Sequence, residues 1–120
     1  MAVLAATVLT LSACGQSERP LLEQFFGASR LRDTTALQAV STVVFEPREQ
    51  GIVRTFEIID VTPERKLQAA VAKEVTIHAP VMLPDGQTVR KTIVISIQRE
   101  GGDRNSPWRV VAFRDAAPSR

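Results

Sequence analysis

The chain has 120 residues and a nearly balanced charge, 15 Lys and Arg against 13 Asp and Glu, for a net charge of +2. Its basic residues are scattered among acidic ones, which leaves no electrostatic footprint for nucleic acid. One cysteine, Cys14, and one histidine, His78, exclude an internal disulfide and a Cys/His metal cluster with ligand spacing, and nothing in the composition implies a cofactor.

Met1 opens an apolar run, AVLAATVLT, that ends in Leu11-Ser12-Ala13-Cys14. About twelve residues are too few to cross a bilayer core, which takes roughly twenty in a helix. The length suits the apolar part of an export signal, although the segment lacks the usual Lys or Arg at its start. It resembles the lipobox of bacterial lipoproteins, in which a Leu three residues before the cysteine and small residues just before it fit a signal peptidase. The resemblance implies a signal peptide over residues 1–13, cleavage before Cys14, and lipid on the Cys14 thiol with more than one acyl chain. Two or more chains anchor stably where one is marginal. Lipidation also accounts for a lone thiol in an exported protein. Gly15 stands where an aspartate marks inner-membrane retention in lipoproteins of enteric-type bacteria. The expected place is therefore the cell envelope, on the outer membrane and facing the periplasm in a host with two membranes.

Removing 13 of the 120 residues leaves 107, enough for one small domain. Residues 14–19 read as the lipidated cysteine and a polar tether, residues 20–115 as the domain, and residues 116–120 as a frayed tail. Pro20 fits the first turn of a helix, where its missing N–H costs nothing. Leu22, Phe25, Phe26 and Ser29 then fall at helical spacing on one stripe, with Glu23, Gln24 and Arg30 elsewhere. Gly27 weakens this helix by about 1 kcal/mol relative to Ala, which suggests a close approach to a sheet. Asp33 or Thr34 can cap a second short helix carrying Leu37, Val40 and Val44.

Glu46 to Gly51 breaks the helical pattern. Beyond it, Ile52 to Val61 is rich in β-branched residues and stops at Thr62-Pro63-Glu64, which predicts a first long strand. Residues 67–83 and 87–100 flank Pro84-Asp85-Gly86, a turn in which proline presets φ, Asp suits the second position and Gly takes the left-handed one. If Leu83 faces Gln87, then Val81 faces Val89, Ile77 faces Ile93 and Val75 faces Ile95 on an apolar face. His78 faces Thr92, Thr76 faces Val94 and Glu74 faces Ser96 on a wetter one. The same register sets Lys73 against Ile97 on the apolar face. A strand of that length exceeds the usual limit of about ten residues, so a bulge near Ala72 to Glu74 is expected to bend it and turn Lys73 outward. Gly101 to Pro107 forms a second turn, and Trp108 to Asp115 the last strand.

Two or three helices before a four-stranded antiparallel meander make an α+β chain with its helices packed on one curved sheet. The succession LLEQFFGASRLRDTTALQAV, a β-rich middle, DGQTVRKTIVISIQREGG and PWRVVAF resembles a small NTF2-like domain of the kind found in bacterial lipoproteins. The resemblance implies a curved sheet wrapped around helices and, in many members, a cone-shaped cavity used for catalysis, binding or assembly. Fold alone does not choose among these.

Members resembling ketosteroid isomerase use a carboxylate base and acidic donors, often a tyrosine, and this chain has no tyrosine. The remaining candidates for a base are Glu57, on a face with Val53, Ile59 and Val61, and Asp60, on the face of Phe56 and Ile58. Whichever face points inward would bury one of them and raise its pKa. His78 falls on the wetter face, where a surface histidine is the default. No Gly-x-Ser-x-Gly elbow and no phosphate loop occurs, and Gly101-Gly102 leads into a turn and a strand rather than a helix. Phe25, Phe26, Ile77, Ile93, Ile95 and Trp108 are the large apolar residues placed to form the core or line a ligand pocket. The expectation is a non-catalytic, membrane-anchored module that binds or assembles with an envelope protein, a peptide or a small apolar ligand. The alternative is a small isomerase or hydratase using Glu57 or Asp60.

Overall fold

The computed structural model describes residues 17–101 and 105–116. The apolar leader with Cys14, residues 102–104 of the last turn and residues 117–120 of the tail lie outside them. Two helices pack on a strongly curled antiparallel sheet, an α+β half-barrel.

Helix α1, Arg19–Leu31, has its proline in the first turn and buries Leu22, Phe25, Phe26, Ala28 and Ser29. It ends where Arg32 enters the left-handed region (φ 56°), and the Arg32 and Asp33 N–H groups donate to the carbonyls of Ser29 and Ala28. Asp33, rather than Thr34, caps α2, Thr34–Val40, by accepting from the Ala36 N–H at 3.1 Å. Leu37 and Val40 are buried, but Val44 is not part of that stripe. The chain leaves the helix at Ser41, which is extended and bridges in parallel to Val110, so the period changes and Phe45 turns inward in place of Val44. Gly27 makes no close approach to the sheet, since a Cβ there would meet nothing within 4 Å.

The expected first long strand is broken. Strands β1, Ile52–Val53, β2, Glu57–Val61, and β3, Arg65–Lys66, pair in succession along one edge of β4, Ala70–Met82. A register shift between Ile58 and Asp60 leaves Ile59 exposed, and Pro63, which has no N–H to donate, lies in the gap before β3. Strand β4 pairs with β5, Thr88–Glu100, and β5 with β6, Arg109–Asp115. Among the described residues the sheet therefore has six strands rather than four.

The hairpin register agrees with the turn reading at every pair from Val81↔Val89 to Lys73↔Ile97. Gly86 sits at φ 92°, its N–H donates to Leu83 O at 2.9 Å, and the Leu83 N–H donates to Gln87 O at 2.7 Å. The strand starts at Ala70 because residues 67–69 turn, with the Leu67 N–H donating to Ala70 O at 2.8 Å. The expected bulge near Ala72 to Glu74 is absent. The β4–β5 ladder runs without a shift, and the second irregularity falls between Ser96 and Ile97 in the β5–β6 pairing. Lys73 consequently stays on the inner face.

The concave face is filled. Leu22 and Phe25 of α1, Val75, Ile77 and Val81 of β4, Ile93, Ile95 and Ile97 of β5, and Val110 of β6 are fully buried. Phe26 packs edge-on against Phe25 and Phe45, with ring centroids 5.1 and 5.2 Å apart, and Phe113 lies 5.0 Å from Phe45. On the convex face His78 is exposed, whereas Val94 is buried between its cross-strand partners Thr76 and Arg114.

Candidate functional site

One end of the half-barrel gathers the start of α1, the β3–β4 turn and the residues leading into β6. The Gly101 N–H donates to Ala69 O at 3.1 Å and so holds the two sheet turns side by side. The Glu18 carboxylate, at the residue preceding α1, receives the Lys73 ammonium at 2.5 Å, and the two side chains keep only 7% and 12% of their surface exposed. Glu18, which reads as part of the tether in the sequence, is thereby packed against the sheet. The pair also explains the inward Lys73: its charge has a partner, so no bulge is needed to turn it out. Its ammonium lies 4.5 Å from the centre of the Trp108 ring, and the Arg99 guanidinium lies 5.2 Å from it while pairing with Glu64 at 3.6 Å.

Beside this cluster an open cleft of about 430 Å³ runs between the helices and the start of β6. Pro20, Leu21, Val40, Ile97 and Trp108 give it an apolar lining, and Ser17 and Glu18 stand at its rim. That volume lies at the small end of the range for ligand sites, about 300–1,000 Å³. Arg109 holds the far wall, donating to Gln38 O at 2.5 Å and Ser41 O at 3.3 Å, where the last carbonyls of α2 need donors.

The residues expected to carry a site divide. Phe25, Phe26, Ile77, Ile93 and Ile95 belong to the packed core, and Trp108 alone among the six lines the cleft. Glu57 and Asp60 are both exposed on β2, so neither face of that strand buries a carboxylate. Glu57 lies opposite His78, whose Nδ1 is 2.9 Å from Thr92 Oγ1 on the convex face. At the other end of α1, Glu46 is held below the usual carboxylate range, chiefly by its 2.6 Å hydrogen bond from Arg32. Among the described residues no group of three His, Cys, Asp or Glu is placed to hold a metal ion, and no helix is long and apolar enough to cross a membrane.

Glu18, Leu21, Lys73, Ile97 and Arg99 were not expected at a site. Lys73 carried a signal, as the one charge on the apolar face of a long strand; Glu18, 55 residues away in sequence, carried none. No protein-family model matches the chain, and no curated protein matches it.

Proposed function

We propose that this chain is a lipid-anchored protein of the bacterial cell envelope whose NTF2-like domain works by binding, through the cleft beside its anchor. The observation that carries this reading is the position of Ser17 on the cleft rim, three residues from Cys14 in the lipobox-like Leu11-Ser12-Ala13-Cys14. The apolar lining suits a small apolar ligand or the apolar part of a partner in the envelope. In a host with two membranes the domain stands on the outer one and faces the periplasm. Two helices on a curled antiparallel sheet are consistent with the NTF2-like reading. The enzyme alternative needs a carboxylate at the bottom of a closed apolar pocket, and Glu57 and Asp60 lie on an outer edge strand instead.

Mass spectrometry of the protein from its own membranes tests the anchor: the N-terminus is expected at Cys14 with acyl chains added, and Cys14→Ser should release the domain. Unprocessed protein that keeps residues 1–13 and stays on the membrane after that substitution would refute it.

A further inference from the structure

The anchor and the cleft share one end of the molecule, and that fixes what the cleft faces. A chain spans at most about 3.3–3.6 Å per residue, so Ser17 lies within roughly 10 Å of a lipidated Cys14. The start of α1 cannot swing away from the sheet, because the Glu18 carboxylate is held by Lys73 and Arg19 donates to Phe56 O while stacking on the Phe56 ring at 4.7 Å. The surface nearest the bilayer is therefore the end of the half-barrel where α1 begins.

That end has the composition of a membrane-surface contact. Trp108 is partly exposed at the cleft, and Trp is enriched where apolar chains meet headgroups. Leu67, where β3 enters its turn into β4, is 40% exposed and lies outside the core cluster. Arg65 and Lys66 are exposed beside it, paired with Ala72 and Val71 at the level of Lys73. Glu64 and Glu100 lie at the same end, so the charge there is mixed and apolar contact dominates.

We propose that this end of the domain docks on the lipid surface, with Trp108, Leu67 and the apolar rim of the cleft at headgroup depth and Arg65 and Lys66 against lipid phosphates. The docking rests on the anchored reading given above. It makes bilayer lipid the occupant of the cleft mouth and leaves the hairpin turn at Pro84-Asp85-Gly86 pointing away from the membrane.

Trp108 is the only tryptophan, so its emission reports this end alone. The full chain with its own lipid is reconstituted in vesicles of phosphatidylethanolamine and phosphatidylglycerol whose acyl chains are brominated near the headgroup. A loss of Trp108 emission relative to unbrominated vesicles is expected, since Trp at headgroup depth lies beside the brominated positions. Leu67→Glu, or Arg65→Glu with Lys66→Glu should Leu67→Glu not fold, is expected to weaken the quenching. Arg90→Glu, on the opposite end of the hairpin, should leave it unchanged. Protein that floats with the vesicles but shows no quenching overturns the docking and leaves the anchored reading standing. Protein that does not float overturns both.

Discussion

Replacing Lys73 by Met keeps an unbranched apolar stem and removes the ammonium, which isolates the ion pair that holds the start of α1. The Glu18 and Lys73 side chains are 7% and 12% exposed and 2.5 Å apart, so the substitution leaves a carboxylate at the rim of the core without its cation. Removing one partner of a buried pair costs about 3–5 kcal/mol, and the lower figure applies at the mouth of the barrel, where Lys73 keeps some contact with water. Loss of the ammonium over the Trp108 ring adds about 0.5–1 kcal/mol. The expected total of about 4 kcal/mol would lower the melting temperature by roughly 15–30 °C in a domain of this size. Glu18→Gln combined with Lys73→Met should cost about 2 kcal/mol or less, because neither charge then remains buried alone. The assay is a double-mutant cycle by urea unfolding, read by far-ultraviolet circular dichroism as well as by Trp108 emission, since the substitution alters the environment of the tryptophan. Lys73→Met within about 0.5 kcal/mol of the parent, or a double variant equal to the sum of the singles, would refute the argument.

Gly27→Ala should stabilise the domain by about 0.5–1 kcal/mol, since the new methyl meets nothing within 4 Å and helical Ala is favoured over Gly; a lower urea midpoint would show an approach that the structure lacks. Gly51→Ala should do the reverse, by about 2 kcal/mol or more, because Gly51 has φ +105° and a Cβ there would lie 2.5 Å from Met82 O. Phe25→Ala, at a fully buried ring, should cost about 3–5 kcal/mol, measured by the same unfolding assay. The Arg32–Glu46 pair should contribute stability above the ordinary glutamate range and lose it as pH falls through the lowered Glu46 pKa, because the folded state binds its proton less readily than the unfolded one. The difference in stability between the parent and Glu46→Gln should therefore shrink in acid, and a difference that grows there would contradict the assigned sign.

The hairpin was legible because two independent signals agreed on it. Pro84-Asp85-Gly86 set the turn, and the period-two pattern on either side left one register that brought Ile77 to Ile93 and Val75 to Ile95. The α1 stripe was legible for the same reason, a single period sustained from Leu22 to Ser29, about two turns. The edge strand was not, because Ile52 to Val61 reads as one β-branched run whatever it pairs with. Its breaks at residues 54–56 and at Ile59 follow from the path of a thirteen-residue curled neighbour, β4, which local sequence does not contain. The cleft was illegible on similar grounds. Glu18 looks like one more polar tether residue until the fold brings Lys73 to it across 55 positions. Trp108 reads equally well as core until Arg99 and Lys73 are seen over its ring.

Glu57 and Asp60 are exposed on a strand where charge serves the fold. A long inner strand such as β4 needs its edge covered, and whatever covers it becomes the new edge, a template for pairing with another chain. Among the described residues β2 pairs only with β4, so the far side of β2 is such an edge. It is five residues long, bulged at Ile59, and carries exposed carboxylates at Glu57 and Asp60, the devices that discourage further pairing. On the opposite side, the Ser41 bridge and the Thr42 N–H bond to Val110 O occupy the start of β6. The concave face is packed with Phe and Ile, and the convex face is crossed by an Arg114–Glu74 pair at 3.9 Å. Leu31, Val44 and Ile59 are exposed singly elsewhere, whereas at the end where α1 begins exposed Leu67 stands near a cleft lined by Leu21 and Trp108. The binding role proposed above is placed at that end because its apolar side chains border a cleft, which Leu31, Val44 and Ile59 do not line.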